Sequence, residues 1–158
     1  MMIKIIGIGN ILMGDDGIGV KVVDVLEKKM KNMGIEFIKA ETDVDYALDN
    51  IKDGDFLFII DSTSDAMAKY GEIIEISLEE AVNNKKSLSI HNVSLISEIS
   101  SLNIKVNGII LAIKAASIEF NIELSMELKN KFSTICNTIY GLIEKNIFEY
   151  ERNEKRNA

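Results

Sequence analysis

At 158 residues, 47% apolar and 27% charged, the chain suits one soluble globular domain with room for a substantial core. A net charge of −7 argues against a protein that tracks nucleic-acid phosphates, and no apolar run approaches the ~18 residues of a membrane span. The single cysteine, Cys136, excludes an intrachain disulfide and a Cys-x-x-Cys metal knuckle, and with no signal-peptide pattern at its start the chain is expected in the cytoplasm.

Residues 2–8 are apolar except for Lys4, as in a strand buried on both faces of a parallel sheet. A glycine-rich turn follows, Gly7-Ile8-Gly9-Asn10-Ile11-Leu12-Met13-Gly14-Asp15-Asp16-Gly17-Ile18-Gly19. From Ile18, the residues Val22, Val23, Leu26 and Met30 recur at helical spacing to about Met33, where Gly34 stops the helix. Ile35 to Ile38 is a short second strand. Tyr46, Leu48 and Ile51 suggest a short helix within the acidic stretch 41–55. Phe56 to Ile60 is the clearest strand, ending on Asp61, with Ser62 to Asp65 as loop. Gly71 to Ile76 alternates like an edge strand.

A polar loop spans 83–89. Leu95, Ile96, Ile99 and Leu102 then mark a helix starting near Asn92, and 106–113 is a fifth strand. The last helix carries Leu124, Leu128, Phe132, Ile135, Ile139 and Leu142, opened by Ser125 as its N-cap. Residues 149–158 lack periodicity and are expected to fray, leaving one domain over 1–148. This order of elements predicts an α/β fold, a three-layer α/β/α sandwich with a mostly parallel sheet of about five strands. Right-handed crossovers place the first strand beside the third, and ligands bind off the carboxyl ends of such strands.

Three polar groups fall at that edge: Asp16 after the first strand, Asp61 at the end of the third, and His91 at a helix start. Two carboxylates and an imidazole make an O,O,N donor set for a borderline divalent cation, with positions left for water or substrate. Each has a plainer reading. Asp15 or Asp16 can cap the first helix, Asp61 can hold the turn after its strand, and His91 can cap its own helix. The dinucleotide fingerprint fails because Leu12 stands where a third glycine is needed. A Ser62–His91–Asp triad can be drawn, but no Gly-x-Ser-x-Gly elbow supports it. Cys136 borders the apolar stripe of the last helix, as a small buried hydrophobe does.

The stretch from Gly7 to Gly19 resembles the signature of the hydrogenase maturation endopeptidases, which process the large subunit of nickel–iron hydrogenases. The likeness continues at Phe58-Ile59-Ile60-Asp61, at His91-Asn92-Val93-Ser94-Leu95, and at Leu124-Ser125. The resemblance implies a three-layer α/β/α peptidase that removes a C-terminal extension from a nickel-loaded large-subunit precursor. It implies that Asp16, Asp61 and His91 contact a divalent metal, either the nickel of the bound precursor, for which zinc or cadmium can substitute, or a metal carried by the protease itself. It also implies a monomer. Water attack is expected, with Asp16 or Asp61 as general base. The alternative is a non-catalytic maturation module that binds a metal or a partner. The chain departs from the family at Lys39, at Ala40-Glu41 where Gly-Gly is common, at Ala112-Ile113-Lys114-Ala115 in place of Gly-Ile-Gln-Pro, and at Met126 in place of proline.

Overall fold

The computed structural model of the chain describes residues 2–84 and 88–158. Strand β1 (Ile3–Ile8) pairs in parallel with β2 (Ile35–Glu41) on one side and β3 (Phe56–Thr63) on the other. Strand β5 (Asn107–Lys114) continues the parallel sheet beside β3, and β4 (Ile73–Ser77) closes it as an antiparallel edge. The order β2-β1-β3-β5-β4 seats the first strand beside the third, as right-handed crossovers require.

Side-chain alternation along the buried strands divides the core in two. Ile5, Phe58, Ile60, Leu111 and Ile113 face α1 (Ile18–Lys29) and α5 (Met126–Asn157). Ile6, Leu57, Ile59, Ile110 and Ala112 face α2 (Val44–Asp49), α3 (Leu78–Asn83) and α4 (Ile90–Ser101). This is the expected three-layer sandwich. Lys4, the one charge in β1, is buried with its ammonium 3.1 Å from Asp55 and 3.3 Å from Glu36, and it donates to the Asn50 carbonyl. Among the described residues, no helix is long and apolar enough to cross a membrane.

Several boundaries differ from the sequence reading. Strand β3 runs beyond Asp61 through Ser62 and Thr63, which pair with Ile113 and Lys114; polar side chains disguised as loop a stretch whose backbone belongs to the sheet. The expected loop 83–89 lies partly outside the described residues; Asn83 ends α3, and Ser89 caps α4 by accepting from the Asn92 N–H. The stretch 149–158 does not fray. It continues α5 to Asn157, because Glu, Lys and Arg are good helix formers and Tyr150 still packs on Phe56 with ring centroids 4.9 Å apart. Gly7 is no turn residue either: it lies within β1, and a Cβ there would come 2.9 Å from Val23 of α1.

A candidate active site at the carboxyl edge of the sheet

The turn after β1 is made possible by Gly9. Its φ is +128°, and a Cβ on it would lie 1.9 Å from the Asp16 carbonyl oxygen, so only glycine lets the chain fold back here. A single 3₁₀ turn, Gly14–Gly17, then delivers Asp15 and Asp16 to opposite sides. Neither caps α1, whose N-cap is Gly17 without a side-chain bond. Asp15 is fully buried. Its carboxylate accepts from the backbone N–H groups of Ala116 and Ser117 at 2.9 Å and of Ser125 at 2.7 Å, tying the turn to the segment between β5 and α5.

Asp16 points the other way, into a cleft of about 710 Å³ that it lines together with Asn10, Ser62, Ser89 and His91. Its Oδ2 accepts from the Asn10 N–H at 2.8 Å and its Oδ1 from the Ser62 hydroxyl at 3.0 Å. His91, in the first turn of α4, brings Nε2 to 3.9 Å from Asp16 Oδ2. That is beyond hydrogen-bond reach, so the two groups face each other without being closed on each other.

Asp61 lies beneath the cleft floor, with no exposed surface. Its Oδ1 accepts from the Ser62 N–H at 2.7 Å; its Oδ2 accepts from Asn92 Nδ2 at 2.8 Å and from the Ser89 hydroxyl. Burial pushes its pKa up to about 7, and the neighbouring Asp16 charge adds to the rise; the bonds from Ser89, Ser62 and Asn92 oppose it. The carboxyl edge thus holds two unlike carboxylates, one lining the cleft and one buried with its proton affinity raised. The fold brings all three predicted residues to one edge, Asp16 and His91 across the cleft and Asp61 behind them.

Among the described residues, no three His, Cys, Asp or Glu side chains converge to hold a metal by themselves. Asp16 and His91 offer one oxygen and one nitrogen donor, which fits a cation that brings other ligands with it. Ser62 spends its hydroxyl hydrogen on Asp16 rather than on His91, so the drawn Ser62–His91–Asp triad is not assembled. The sequence reading missed the structural parts of Ser89 and Asn92; the Ser-x-x-Asn spacing at a helix start was the available signal, though it reports a cap and not the bonds to Asp61. A second groove of about 740 Å³ lies at the opposite edge of the sheet, lined largely by apolar side chains such as Leu78, Val82, Ile96 and Ile99, with Glu79 and Lys105 as its charges among the described residues.

No family model matches the chain. It is 38% identical over 96 residues to a protein of Methanocaldococcus jannaschii that carries the provisional name hydrogenase maturation protease; the match takes in 59% of this chain and spans 62% of that relative's length. Its fold superposes on the hydrogenase maturating endopeptidase HybD from E. coli with a TM-score of 0.78, at 22% identity, covering 92% of this chain and 94% of that one. The NiFe hydrogenase maturation protease HybD from Thermococcus kodakarensis gives a TM-score of 0.74 at 26% identity, covering 90% and 99% of the two chains.

Proposed function

We infer that this chain is a hydrogenase maturation protease, an endopeptidase acting in the cytoplasm on the large-subunit precursor of a nickel–iron hydrogenase and removing its C-terminal extension. The single observation that carries this reading is the open cleft in which Asp16 and His91 face each other at 3.9 Å over a buried second carboxylate, in a fold shared with named maturation endopeptidases.

The nickel of the precursor is part of the substrate. Asp16 and His91 present one oxygen and one nitrogen donor to the cleft, which supports recognition of an ion already held by the precursor's own ligands. Docking through that ion would set the scissile peptide beside the cleft carboxylate, and the ion would supply Lewis-acid polarisation of a nearby carbonyl. Asp16 is the group that reaches a water, because its carboxylate lines the cleft whereas Asp61 lies under the floor. In this mechanism Asp16 accepts the proton of the attacking water. The Ser62 hydroxyl and the Asn10 N–H hold it in place. Asp61 anchors the start of α4, on which His91 is mounted.

The experiment is processing of purified nickel-loaded precursor, followed by mass spectrometry of its C-terminus. Wild-type protein shortens the precursor, and folded His91→Ala leaves it intact. Normal trimming by that variant refutes the role of His91. Binding of the precursor with no shortening by wild-type protein favours a non-catalytic module. Equal trimming of nickel-free precursor removes the metal from recognition.

A further inference from the structure

We propose that Asn92 is a positioning residue of the hydrolysis, holding the first turn of α4, and with it His91, in register with Asp61. The proposal rests on the reading of Asp16 and His91 as the working groups. Asn92 lies on the core-facing side of α4, in line with Leu95, Ile96 and Ile99, and is 1% exposed. Its Nδ2 donates to Asp61 Oδ2 at 2.8 Å, while its Oδ1 is buried with no partner among the described residues. A buried amide whose carbonyl is unpaired destabilises a core position that an aliphatic side chain would fill. Its bond to Asp61 is the one gain that accounts for it, and local rules are broken in this way mostly at functional sites.

The arrangement has a second tie. The Ser89 hydroxyl accepts from the Asn92 N–H and donates to the same Asp61 oxygen. His91 therefore stands between two points, residues 89 and 92, at which its helix is fastened to β3. Asp61 is itself held by the Ser62 N–H, and the Ser62 hydroxyl reaches Asp16. A continuous chain of hydrogen bonds thus connects Asp16 to the helix turn that carries His91. Loosening the Asn92 link lets that turn move relative to Asp16, and small displacements of a reacting geometry are expensive in rate.

The test is Asn92→Leu, which keeps the branched shape and removes the donor. Processing kinetics are measured on the nickel-loaded precursor. The sole histidine makes the ring resonances of His91 an unambiguous NMR probe. The expected result is a kcat about 10–100-fold lower, a KM within about twofold of wild type, and displaced His91 resonances in a protein that still melts cooperatively. Where the leucine does not fold, Asn92→Ala removes the same donor without adding bulk and is held to the same outcomes. An unchanged kcat in either folded variant overturns the proposal, as does a loss of activity that only tracks loss of folded protein while His91 is undisturbed. Asp16→Asn and His91→Ala are measured alongside. If those two retain full processing, the proposed function fails, and the His91 resonances alone then decide the positioning role.

Discussion

At the amino end of the sheet, the buried Lys4 ammonium meets Asp55 at 3.1 Å and Glu36 at 3.3 Å. At the carboxyl end of the same central strands, buried Asp61 has another carboxylate, Asp16, for a neighbour, and its pKa rises to about 7 through burial and that repulsion. Both ends bury acidic groups. One matches them with a cation. The other sets two carboxylates close together beside an open cleft and a histidine, and the buried one holds its proton to about 7. The difference separates a structural ion pair from a working site better than burial does.

The sharpest way to break the comparison is to neutralise one carboxylate at each end. Asp16→Asn should slow precursor processing by about 10²–10⁴-fold, the usual worth of a general base, with little change in melting temperature. Asp55→Ala should do the reverse, costing about 1–3 kcal/mol in chemical denaturation because buried Lys4 keeps only Glu36 and the Asn50 carbonyl, while the folded fraction keeps its activity. Equal activity losses in the two variants would erase the distinction.

The pH dependence follows from Asp61. In the unfolded chain it titrates as an ordinary aspartate near 4, whereas in the fold it holds its proton to about 7. Between those values the folded state binds a proton that the unfolded state has lost, so this group's contribution to stability declines as pH rises from about 4 to about 7, on the order of 4 kcal/mol in total. Denaturation measured across that window should be flatter in Asp61→Asn; an unchanged slope would mean that the proton sits elsewhere.

Smaller effects sharpen the contrast between adjacent residues. Asp15→Asn should destabilise by about 1–3 kcal/mol, because an amide cannot accept from three converging N–H groups, and should cost less activity per folded molecule than Asp16→Asn. Glu41 has a left-handed backbone, φ 55°, where its carbonyl accepts from the Gly9 N–H at 2.9 Å. Glu41→Gly should raise stability by about 1 kcal/mol in the same denaturation assay, since glycine carries no Cβ penalty there.

Much of the architecture was legible from periodicity. The apolar runs in β1 and β3, the helical spacing from Ile18 and the Ser125 cap all reappear in the structure, because each reflects local backbone geometry and burial on a known period. Less was legible where a residue's partner is remote. Nothing around Ser62 and Thr63 signals a strand, since their ladder partners lie some fifty residues away. The tail 149–158 looked unstructured without knowledge that Phe56 waits beside Tyr150.

The sequence by itself determined the α/β sandwich, the glycine-bounded turn and the arrival of Asp16, Asp61 and His91 at one sheet edge, because alternation, helical spacing and strand order are properties of the chain. Only the tertiary structure decided what each acid does there. Asp15 and Asp16 are chemically identical neighbours, yet one is consumed by N–H groups about a hundred residues away and the other is left facing the cleft. The environment of a carboxylate is set by what folds against it, and no local pattern encodes that.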